Sequence, residues 1–481
     1  MDERTRFDSY PYRNRLSDVV AWEPLDIGPE ASLAEAAAAM SARDVGSILV
    51  RGSGGCHEGI LTERDIMRLV AAGKSPGIPV SEVMSSPVQA LPADTLIYKA
   101  MGRMERLGIR HLAVTDAEGR IIGVVSLRTI LKTRNTAAFA LGDAIESAPD
   151  AAAIAAARTR LPALVRALLH DATRATTVAG AISAAMRDST ERAGLLAEAS
   201  MERDGLGKAP APYALLVLGS GGRGESLLSP DQDNAVIFDG SGEEDAWFAE
   251  WGKRLADILN EAGVPYCNGG VMASNSLWRG TPADWRERVA GWVRSGRGES
   301  IMNVDIFFDF APVLGDAALA AALRHDAVEA VSRQTVFLGN LVQHIGGFRP
   351  PLAWDAFGLL SGFQLKDGRV DLKIGGTLPL VAAARVLALR HGVEAVSTIG
   401  RLNQLREKGV LSPGDAAAAS EALEAVMDAI LRQQLADLED GIAPSSKIDP
   451  SLLDRRTRRA LRNHLAVVDL LQPMVQGAVS G

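Results

Sequence analysis

The first 135 residues repeat one pattern of apolar and polar positions, with a shift of 64 positions and no gap. In each copy, apolar residues recur first at the spacing of an amphipathic helix and then alternate with polar ones, as in half-buried strands. The pattern predicts a helix, two strands and a closing helix in each copy. The predicted helices are Leu33–Arg43 and Ile97–Leu107, and the predicted strands are 47–51, 59–61, 111–115 and 121–125. Two copies indicate a pseudo-symmetric unit rather than a solenoid, which needs three or more repeats.

After position 135, apolar residues recur mainly at helical spacing, interrupted by one stretch with strand-like runs. We therefore expect an N-terminal tail, the repeat, a helical connector, an α/β core and a helical C-terminal domain. Their expected ranges are 1–14, 15–135, 136–205, 206–335 and 336–481. The predicted fold class is multidomain, α/β and α, since 481 residues are too many for one hydrophobic core.

The predicted α/β core holds the segment with the clearest chemistry. Residues 219–233 read GSGGRGESLLSPDQD and lie between two apolar runs, 213–218 and 234–238, that predict strands. Because glycines lack a Cβ, they let the main chain approach a polyphosphate, and a helix that starts there presents unpaired N–H groups to anions. The predicted phosphate contacts of this turn are Gly219, Ser220, Gly221 and Gly224.

Two aspartates follow the glycines. Asp231 and Asp233 are two positions apart, so their side chains share a face if they open the second strand. Two carboxylates on one face suit Mg²⁺ or Mn²⁺, and Mg²⁺ is usually held by one or two carboxylates together with substrate phosphates. A second cation would activate an attacking hydroxyl. The alternative is a solvated loop in which these acids cap local turns.

The order of these features resembles that of a known superfamily. A strand, Gly-Ser, GRGE and then Asp-X-Asp are similar to the signature of DNA polymerase β-type nucleotidyltransferases, and GRGE with SPDQDNAVIF most resembles the uridylyltransferase domain that modifies protein PII. The resemblance implies nucleotide contacts from Arg223 and Glu225. It also implies an NTP substrate and Mg²⁺-dependent transfer of NMP to a hydroxyl of a PII-like protein, with release of pyrophosphate. A P-loop is excluded, since no Gly-Lys-Ser/Thr follows the glycines.

That superfamily completes its cation site with a third carboxylate on a later strand. Residues 303–313, NVDIFFDFAPV, alternate so that Asp305 and Asp309 share one face of a predicted strand. The stretch FFDFAPVLGD resembles a segment of related transferases in which an acid matches Asp309. We therefore rank Asp309 first and Asp305 second, both as the third ligand and as the group that assists deprotonation of the acceptor.

Two further segments resemble parts of the same family. In residues 267–293, Trp278, Trp285 and Trp292 fall seven apart, which favours a helical stripe packed into the core over a platform for base stacking. Residues 371–393 resemble the helical domain that accompanies these transferases. The basic residues expected nearest the triphosphate or acceptor are Lys373, Arg385 and Arg401, and a solvated helix face is the alternative.

The two copies of the N-terminal repeat end in related motifs, GILTERD at 59–65 and GVVSLRT at 123–129. The motifs resemble those of a tandem CBS pair, which implies a site for an adenosine nucleotide and association as a homodimer. The ligand residues that the resemblance implies are Thr62, Arg64, Asp65 and Ser126.

The second copy departs from the family's pattern, because Thr129 stands at the place of Asp65. One of the two adenosine sites therefore looks complete. Alternatively, Thr62 and Asp65 only cap the predicted helix 66–72.

Composition excludes several classes of function. A net charge of −8 argues against a nucleic-acid partner, which needs a basic face. Cys56 and Cys267 are far apart and lack metal-ligand spacing, so we expect neither a disulfide framework nor a zinc site, and a reducing cytoplasm fits. The N-terminus does not read as a secretory signal, and apolar runs stay below the roughly 20 residues of a membrane span.

The hypothesis from sequence is a cytoplasmic regulatory nucleotidyltransferase, controlled by an adenosine nucleotide at the repeat. Two alternatives stay open: a nucleotide-sensing protein with an inactive transferase domain, and nucleotidyl transfer to a small molecule. The His-Asp phosphohydrolase domain and the amino-acid-sensing domains of the full PII-modifying enzyme are not evident, so removal of the nucleotide is not expected.

Overall fold

The computed structural model describes residues 15–20, 24–52, 56–126, 139–170, 173–296, 298–354 and 360–480. The chain forms two compact units, Met1–Asp143 and Ala144–Gly481, and each is described by itself. The predicted N-terminal tail, Thr129 and the predicted closing helix of the second copy lie outside the described residues.

The first unit contains two three-stranded sheets, one for each sequence copy. In both sheets the first strand runs parallel to the second, and the third runs antiparallel to the second. The first copy consists of β1 (Asp26–Ile27), α1 (Leu33–Arg43), β2 (Ser47–Arg51), β3 (His57–Thr62) and α2 (Glu63–Ala71). The second copy consists of β4 (Ala90–Pro92), α3 (Ile97–Leu107), β5 (His111–Thr115) and β6 (Ile121–Ser126). The repeated sequence pattern thus has a repeated fold.

The predicted bounds of α1 and α3 are confirmed. Each helix stops where the next residue adopts the left-handed conformation. These residues are Asp44, with φ of 52°, and Gly108, with φ of 64°. The closing helix of the first copy, α2, begins at Glu63, three residues earlier than predicted. Thr62 and Asp65 form a capping box there, which satisfies backbone donors of the first turn.

The chain between the repeat and the second unit's main sheet is helical, as predicted. Its helices are α4 (Phe139–Glu146), α5 (Ala151–Arg158), α6 (Leu161–His170) and α7 (Ala175–Arg203). Pro162 lies in the first turn of α6, where a helix does not need the missing backbone donor. The long helix α7 packs closely on the sheet through a small residue: a Cβ on Gly194 would lie 3.0 Å from Leu314 and 3.2 Å from Leu215.

The main sheet of the second unit has four strands. In chain order the elements are β7 (Tyr213–Val217), α8 (Gly219–Arg223), β8 (Asn234–Phe238), α9 (Asp245–Glu261), β9 (Arg279–Gly280), α10 (Pro282–Ser295), α11 (Glu299–Phe307) and β10 (Ala311–Gly315). The strand order is β10-β7-β8-β9, with β8 and β9 parallel and the other two pairs antiparallel. Every residue of β7 and β8 is buried, so these two strands form the centre of the domain.

The strand predicted at 303–313 is wrong. Residues up to Phe307 belong to α11, a turn follows, and β10 begins only at Ala311. The buried residues Ile301, Val304 and Phe308 have helical spacing. Ile301 lies before residue 303, so the segment used for the strand prediction did not show this spacing.

The interpretation of the three tryptophans as core residues is confirmed. Trp285 and Trp292 lie on α10, Trp278 lies in the short 3-10 helix before it, and all three are buried. The ring of Phe307 lies 5.2 Å from that of Trp285 and 5.4 Å from that of Trp292, centre to centre. This aromatic cluster therefore joins α10 to α11.

The remainder of the second unit is largely helical, as predicted. Its helices are α12 (Ala317–Ser332), α13 (Thr335–Ile345), α14 (Leu378–Arg390), α15 (Thr398–Glu407), α16 (Pro413–Glu439), α17 (Arg455–Leu465) and α18 (Val468–Ser480). Short strand pairs join them: β11 (Leu352–Trp354) with β12 (Leu360–Phe363), and β13 (Val370–Asp371) with β14 (Lys447–Ile448). Residues 379–389 of α14 are buried on all sides, so this helix forms the centre of the bundle.

Within the described part of the chain, the helices are too short or too polar to cross a membrane.

Candidate functional site

Asp231 and Asp233 lie in the segment that leads into β8, which begins one residue later at Asn234. The structure brings their carboxylates together with the thiol of Cys267: one oxygen of each acid and the Sγ atom all lie within 4.8 Å of one another. Asp231 is exposed, and the other two side chains are half-buried. Sequence spacing had argued against a metal site at either cysteine, so Cys267 is an unexpected member of this group.

The electrostatics of the group suit a cation. Burial and the charge of Asp231 raise the pKa of Asp233 to about 6. Burial and the charge of Asp233 raise the pKa of the Cys267 thiol to about 11, so the thiol is protonated near neutral pH. A divalent cation would offset the repulsion between the two carboxylates, whose oxygens are ligands that Mg²⁺ and Mn²⁺ prefer. The donor set therefore fits the cation that the sequence predicts.

This raised pKa has a consequence for stability. We expect Asp233→Asn to stabilise the protein by about 1–2 kcal/mol in chelator at about pH 7.5. Because the folded-state pKa is raised, the favourable contribution of Asp233 is present in acid and is lost as the pH rises through about 6. Calorimetry should find the variant melting above the wild type at about pH 7.5, by a smaller margin at about pH 4.5, and level with it only below the ordinary pKa of 3.8. A constant difference between the two pH values would contradict the raised pKa.

The glycine turn packs closely against the acids. Gly219 has φ of 56°, and a Cβ there would lie 2.8 Å from a carboxylate oxygen of Asp233. A Cβ on Gly222 would lie 1.7 Å from the main-chain oxygen of Asp309. At these two positions glycine is required by the protein's own packing, whether or not a phosphate also approaches.

A small cavity lies beside the acid pair. Ser220, Gly221, Asp231 and Asp233 line it together with other polar and apolar residues, and its volume is about 20 Å³. That is room for about one water molecule. A nucleotide would therefore have to bind on the exposed side of Asp231, and contacts from Gly219, Ser220, Gly221 and Gly224 would have to be made from there.

Arg223 and Glu225 are both expected to contact the nucleotide. In the structure, both have partners within the protein. Arg223 donates from Nε to Glu225 at 2.7 Å and from Nη1 to Asp309 at 2.6 Å. Glu225 accepts from the backbone N–H of Thr398 at 2.6 Å and from its hydroxyl at 3.1 Å. The GRGE segment thus ties the sheet domain to the start of α15, and nucleotide contacts from Arg223 and Glu225 stay a prediction.

Asp309, the predicted third cation ligand, is surrounded by arginines. It lies in the turn after α11, is fully buried, and has both oxygens paired with arginines. Arg385 and Arg223 contact Oδ2 at 2.5 and 2.6 Å, and Arg401 contacts Oδ1 at 2.7 Å. Burial alone would raise the pKa of Asp309, but Arg385, Arg401 and Arg223 outweigh it and hold that pKa well below its usual range. Three guanidinium groups leave no room for a cation at this carboxylate.

The three basic residues of the C-terminal domain have different positions. Arg385 and Arg401 are buried around Asp309, so the structure does not place them at a triphosphate. Arg385 also donates to Asp305 at 2.5 Å, and Asp305 lies on α11 with 23% of its side chain exposed. Lys373 is exposed, and its positive charge lowers the pKa of Asp233 against the burial that raises it. Of the three, Lys373 is the one whose charge acts on Asp233.

Besides Cys267, the sequence did not predict Arg187, which holds the glycine turn in place. Arg187 on α7 donates from Nε to the main-chain oxygen of Gly221 at 2.8 Å and from Nη2 to that of Gly222 at 2.6 Å. It therefore fixes the carboxyl end of the glycine turn from the neighbouring helix. An arginine inside an alanine-rich helical stretch gave no local signal of this contact.

In the first unit, Thr62 and Asp65 form the capping contacts of α2. The Thr62 hydroxyl lies 2.6 Å from the Asp65 carboxylate, and the Asp65 backbone N–H donates to that hydroxyl at 3.3 Å. Arg64 is exposed, and Ser126 pairs across the sheet with His111. Burial lowers the pKa of His111, whereas the charges of Glu63 and Asp65 raise it. His111, which belongs to the second copy and was not predicted as a site residue, therefore faces the GILTERD motif of the first copy.

Family comparisons cover most of the described chain. Residues 16–72 and 80–135 match the model "CBS domain". Residues 159–299 match "Putative nucleotidyltransferase DUF294", and residues 335–479 match "Putative nucleotidyltransferase substrate binding domain".

Individual relatives each match about a quarter of the chain. An uncharacterized 17.7 kDa protein of Acidianus ambivalens is 30% identical over 118 residues, which are 24% of this chain and 71% of the relative. A CBS domain-containing protein of Bacillus subtilis is 32% identical over 113 residues, 23% of this chain and 79% of the relative. The solved CBS domain protein of Pyrobaculum aerophilum in complex with AMP has 25% identity and a TM-score of 0.23, covering 24% of this chain and 89% of its own.

Proposed function

This chain belongs to the family of CBS-domain-containing nucleotidyltransferases with a substrate-binding domain, and from that premise we propose that it transfers a nucleoside monophosphate from an NTP to a hydroxyl group. The observation that carries the proposal is the close pair of Asp231 and Asp233, on which the charge of Lys373 acts. The two acids suit a divalent cation and the lysine suits phosphate, and both Asp231 and Lys373 are open to solvent.

Each of these residues has a part in the proposed reaction. Asp231 and Asp233 would hold Mg²⁺ or Mn²⁺, which when bound supplies charge neutralisation at the triphosphate. Lys373 would contact the phosphates, and Ser220 would add a hydroxyl donor. The acceptor oxygen forms a bond to the α-phosphorus, the bond from that phosphorus to pyrophosphate breaks, and the hydroxyl proton is released. Of the two acids proposed to assist that release, Asp305 alone is accessible, because Asp309 is fully buried.

The proposed acceptor is a hydroxyl of a PII-like protein, and the proposed donor is UTP. Support comes from the similarity of GRGE and SPDQDNAVIF to the uridylyltransferase domain that modifies PII. We further propose a cytoplasmic homodimer in which an adenosine nucleotide at the CBS pair controls the transfer.

The transferase proposal is tested by labelling. The full chain is incubated with each labelled NTP in turn, with Mg²⁺ or Mn²⁺ and a purified PII-like protein or cell extract. We expect wild type to label a protein with one preferred nucleotide and the Asp231→Asn/Asp233→Asn variant to leave it unlabelled. Label in the low-molecular-weight fraction would instead favour a small-molecule acceptor. Equal labelling by both chains, or none with any nucleotide, would overturn the enzyme and favour the nucleotide-sensing alternative.

The sensor part of the proposal gives its own prediction. Asp65→Ala is expected to weaken binding of AMP, ADP or ATP by about 10- to 100-fold, since it removes a charged hydrogen-bond acceptor at the proposed ribose site. Titration calorimetry measures this. Glu35→Ala is the matched control, because Glu35 and Ser32 form the same capping box at α1 without belonging to the CBS motif. Loss of either box costs about 1 kcal/mol of stability, so only a ligand role separates the two variants. Equal affinities would remove Asp65 from the site.

A further inference from the structure

We propose that Cys267 is the third protein ligand of the cation site formed by Asp231 and Asp233, so that the site also takes thiolate-binding divalent cations such as Zn²⁺ and Co²⁺. The inference rests on the proposed cation site and assigns the residue that completes it. Sγ and one oxygen of each carboxylate lie within 4.8 Å of one another. Because Zn²⁺ ligand bonds are about 2.0–2.3 Å long, these atoms would have to move closer together to share one ion.

The surroundings of Asp309, the acid that the sequence predicts as third ligand, support this assignment. Asp309 has both carboxylate oxygens engaged by Arg223, Arg385 and Arg401, so it is not available to a cation in this fold. Two carboxylates alone would leave the cation with few protein ligands. Cys267 is the third potential ligand that the structure places within reach of these two carboxylates.

The fold holds Cys267 and Asp233 together from both sides. The Gln232 backbone N–H donates to Pro265 at 3.1 Å, and the Asn234 backbone N–H donates to Val271 at 3.0 Å. These two bonds flank Asp233 on one segment and Cys267 on the other. The approach of thiol and carboxylate is therefore fixed by main-chain hydrogen bonds.

The surroundings of Sγ provide a second, separate observation. The backbone amides of Gly269 and Val271 donate to the sulfur, and Gly270, with φ of 67°, makes the turn that aims them. N–H donors to sulfur stabilise a thiolate. If Cys267 bound a cation, its S–H bond would break, a sulfur–metal bond would form, and the proton would leave to solvent.

The test uses Co²⁺ as the probe, with the full chain and no nucleotide. Co²⁺ bound to wild type is expected to show the near-ultraviolet charge-transfer absorption of a thiolate ligand, and Cys267→Ser is expected to lose it. Co²⁺ affinity should fall by about tenfold or more in Cys267→Ser, while Mg²⁺ affinity changes by less than about threefold, because sulfur suits the softer cation. Cys56→Ser is the matched control and should keep the absorption, since that exposed thiol lies in the other unit.

A second measurement needs no change at Cys267. Zn²⁺ should slow alkylation of the wild-type Cys267 by about tenfold or more, read by peptide mass, and Asp231→Asn/Asp233→Asn should remove that protection. Co²⁺ binding without the thiolate absorption, or Zn²⁺ without protection, would overturn the assignment and leave the transferase proposal standing. The thiolate absorption in a chain that labels no acceptor would overturn the transferase and leave the assignment standing.

Discussion

Replacing Asp309 by asparagine is expected to lower the free energy of unfolding of the second unit by about 3–5 kcal/mol, the usual effect of removing one partner from a buried ion pair. The carboxylate is fully buried and neutralises part of the charge of Arg223, Arg385 and Arg401. Asparagine keeps the shape but not the charge, so guanidinium groups would stay buried without compensation. Urea denaturation followed by tryptophan fluorescence measures the loss, since Trp278, Trp285 and Trp292 lie in the same unit.

Asp305→Asn is the matched control for this variant. Asp305 also pairs with Arg385, but 23% of its side chain is exposed, and Arg385 would keep Asp309 as a partner. We expect a loss of about 1 kcal/mol or less, as for partly exposed ion pairs. If Asp309→Asn left stability unchanged and weakened cation binding instead, Asp309 would be the third ligand that the sequence suggests and the arginine contacts would be secondary.

The pH dependence of the same comparison has a definite sign. Because the folded-state pKa of Asp309 is held below its usual range, its contribution to stability is present above the ordinary value near 4 and is lost as the pH falls below it. The difference between wild type and Asp309→Asn should therefore be constant from neutral pH to about pH 5 and shrink in stronger acid. A difference that shrinks with rising pH would contradict the sign of the shift.

The elements that the sequence predicts well are those whose limits are set by neighbouring residues. The bounds of α1 and α3 follow from apolar spacing together with Asp44 and Gly108, which end the helices in the left-handed conformation. The repeat adds a second, independent copy of the same information. Its strands follow within one or two residues of prediction for the same reason.

Residues 303–313 show where such reasoning fails. Val304 and Phe308 are buried, and their spacing of four fits a strand with alternating faces as well as one side of a helix. Ile301, outside the window, favours the helix. A short apolar run cannot distinguish the two periods by itself, so the error arose from the length of the segment.

The residues of the candidate site likewise fall into those that a local motif predicts and those that it does not. Asp231 and Asp233 are recognisable because both lie in one short motif, whereas Cys267 and Arg187 reach it only through tertiary packing. The arginines expected at the triphosphate, Arg385 and Arg401, lie at Asp309 instead. Sequence gives the sign of each charge but not which opposite charge meets it in the interior, where pairing matters most.

The other large expected effect is on catalysis. Asp231→Asn/Asp233→Asn should lower kcat/KM for nucleotidyl transfer by about a thousandfold or more, because the cation supplies several kcal/mol of charge stabilisation and each 1.4 kcal/mol is tenfold. Each single variant should cost nearly as much as the pair, since both acids serve one cation and their effects are not additive. Initial rates with the preferred NTP, at saturating acceptor, measure this.

Asp239→Asn is the matched control, because Asp239 is an exposed acid just beyond the other end of β8. It should retain activity within about twofold, as expected of a surface substitution away from the site. Misfolding cannot account for the loss in the double variant, since removing the repulsion at Asp233 is expected to stabilise the cation-free protein rather than weaken it. If Asp231→Asn alone kept more than about a tenth of the activity, a cation shared by these two carboxylates would not be the basis of the reaction.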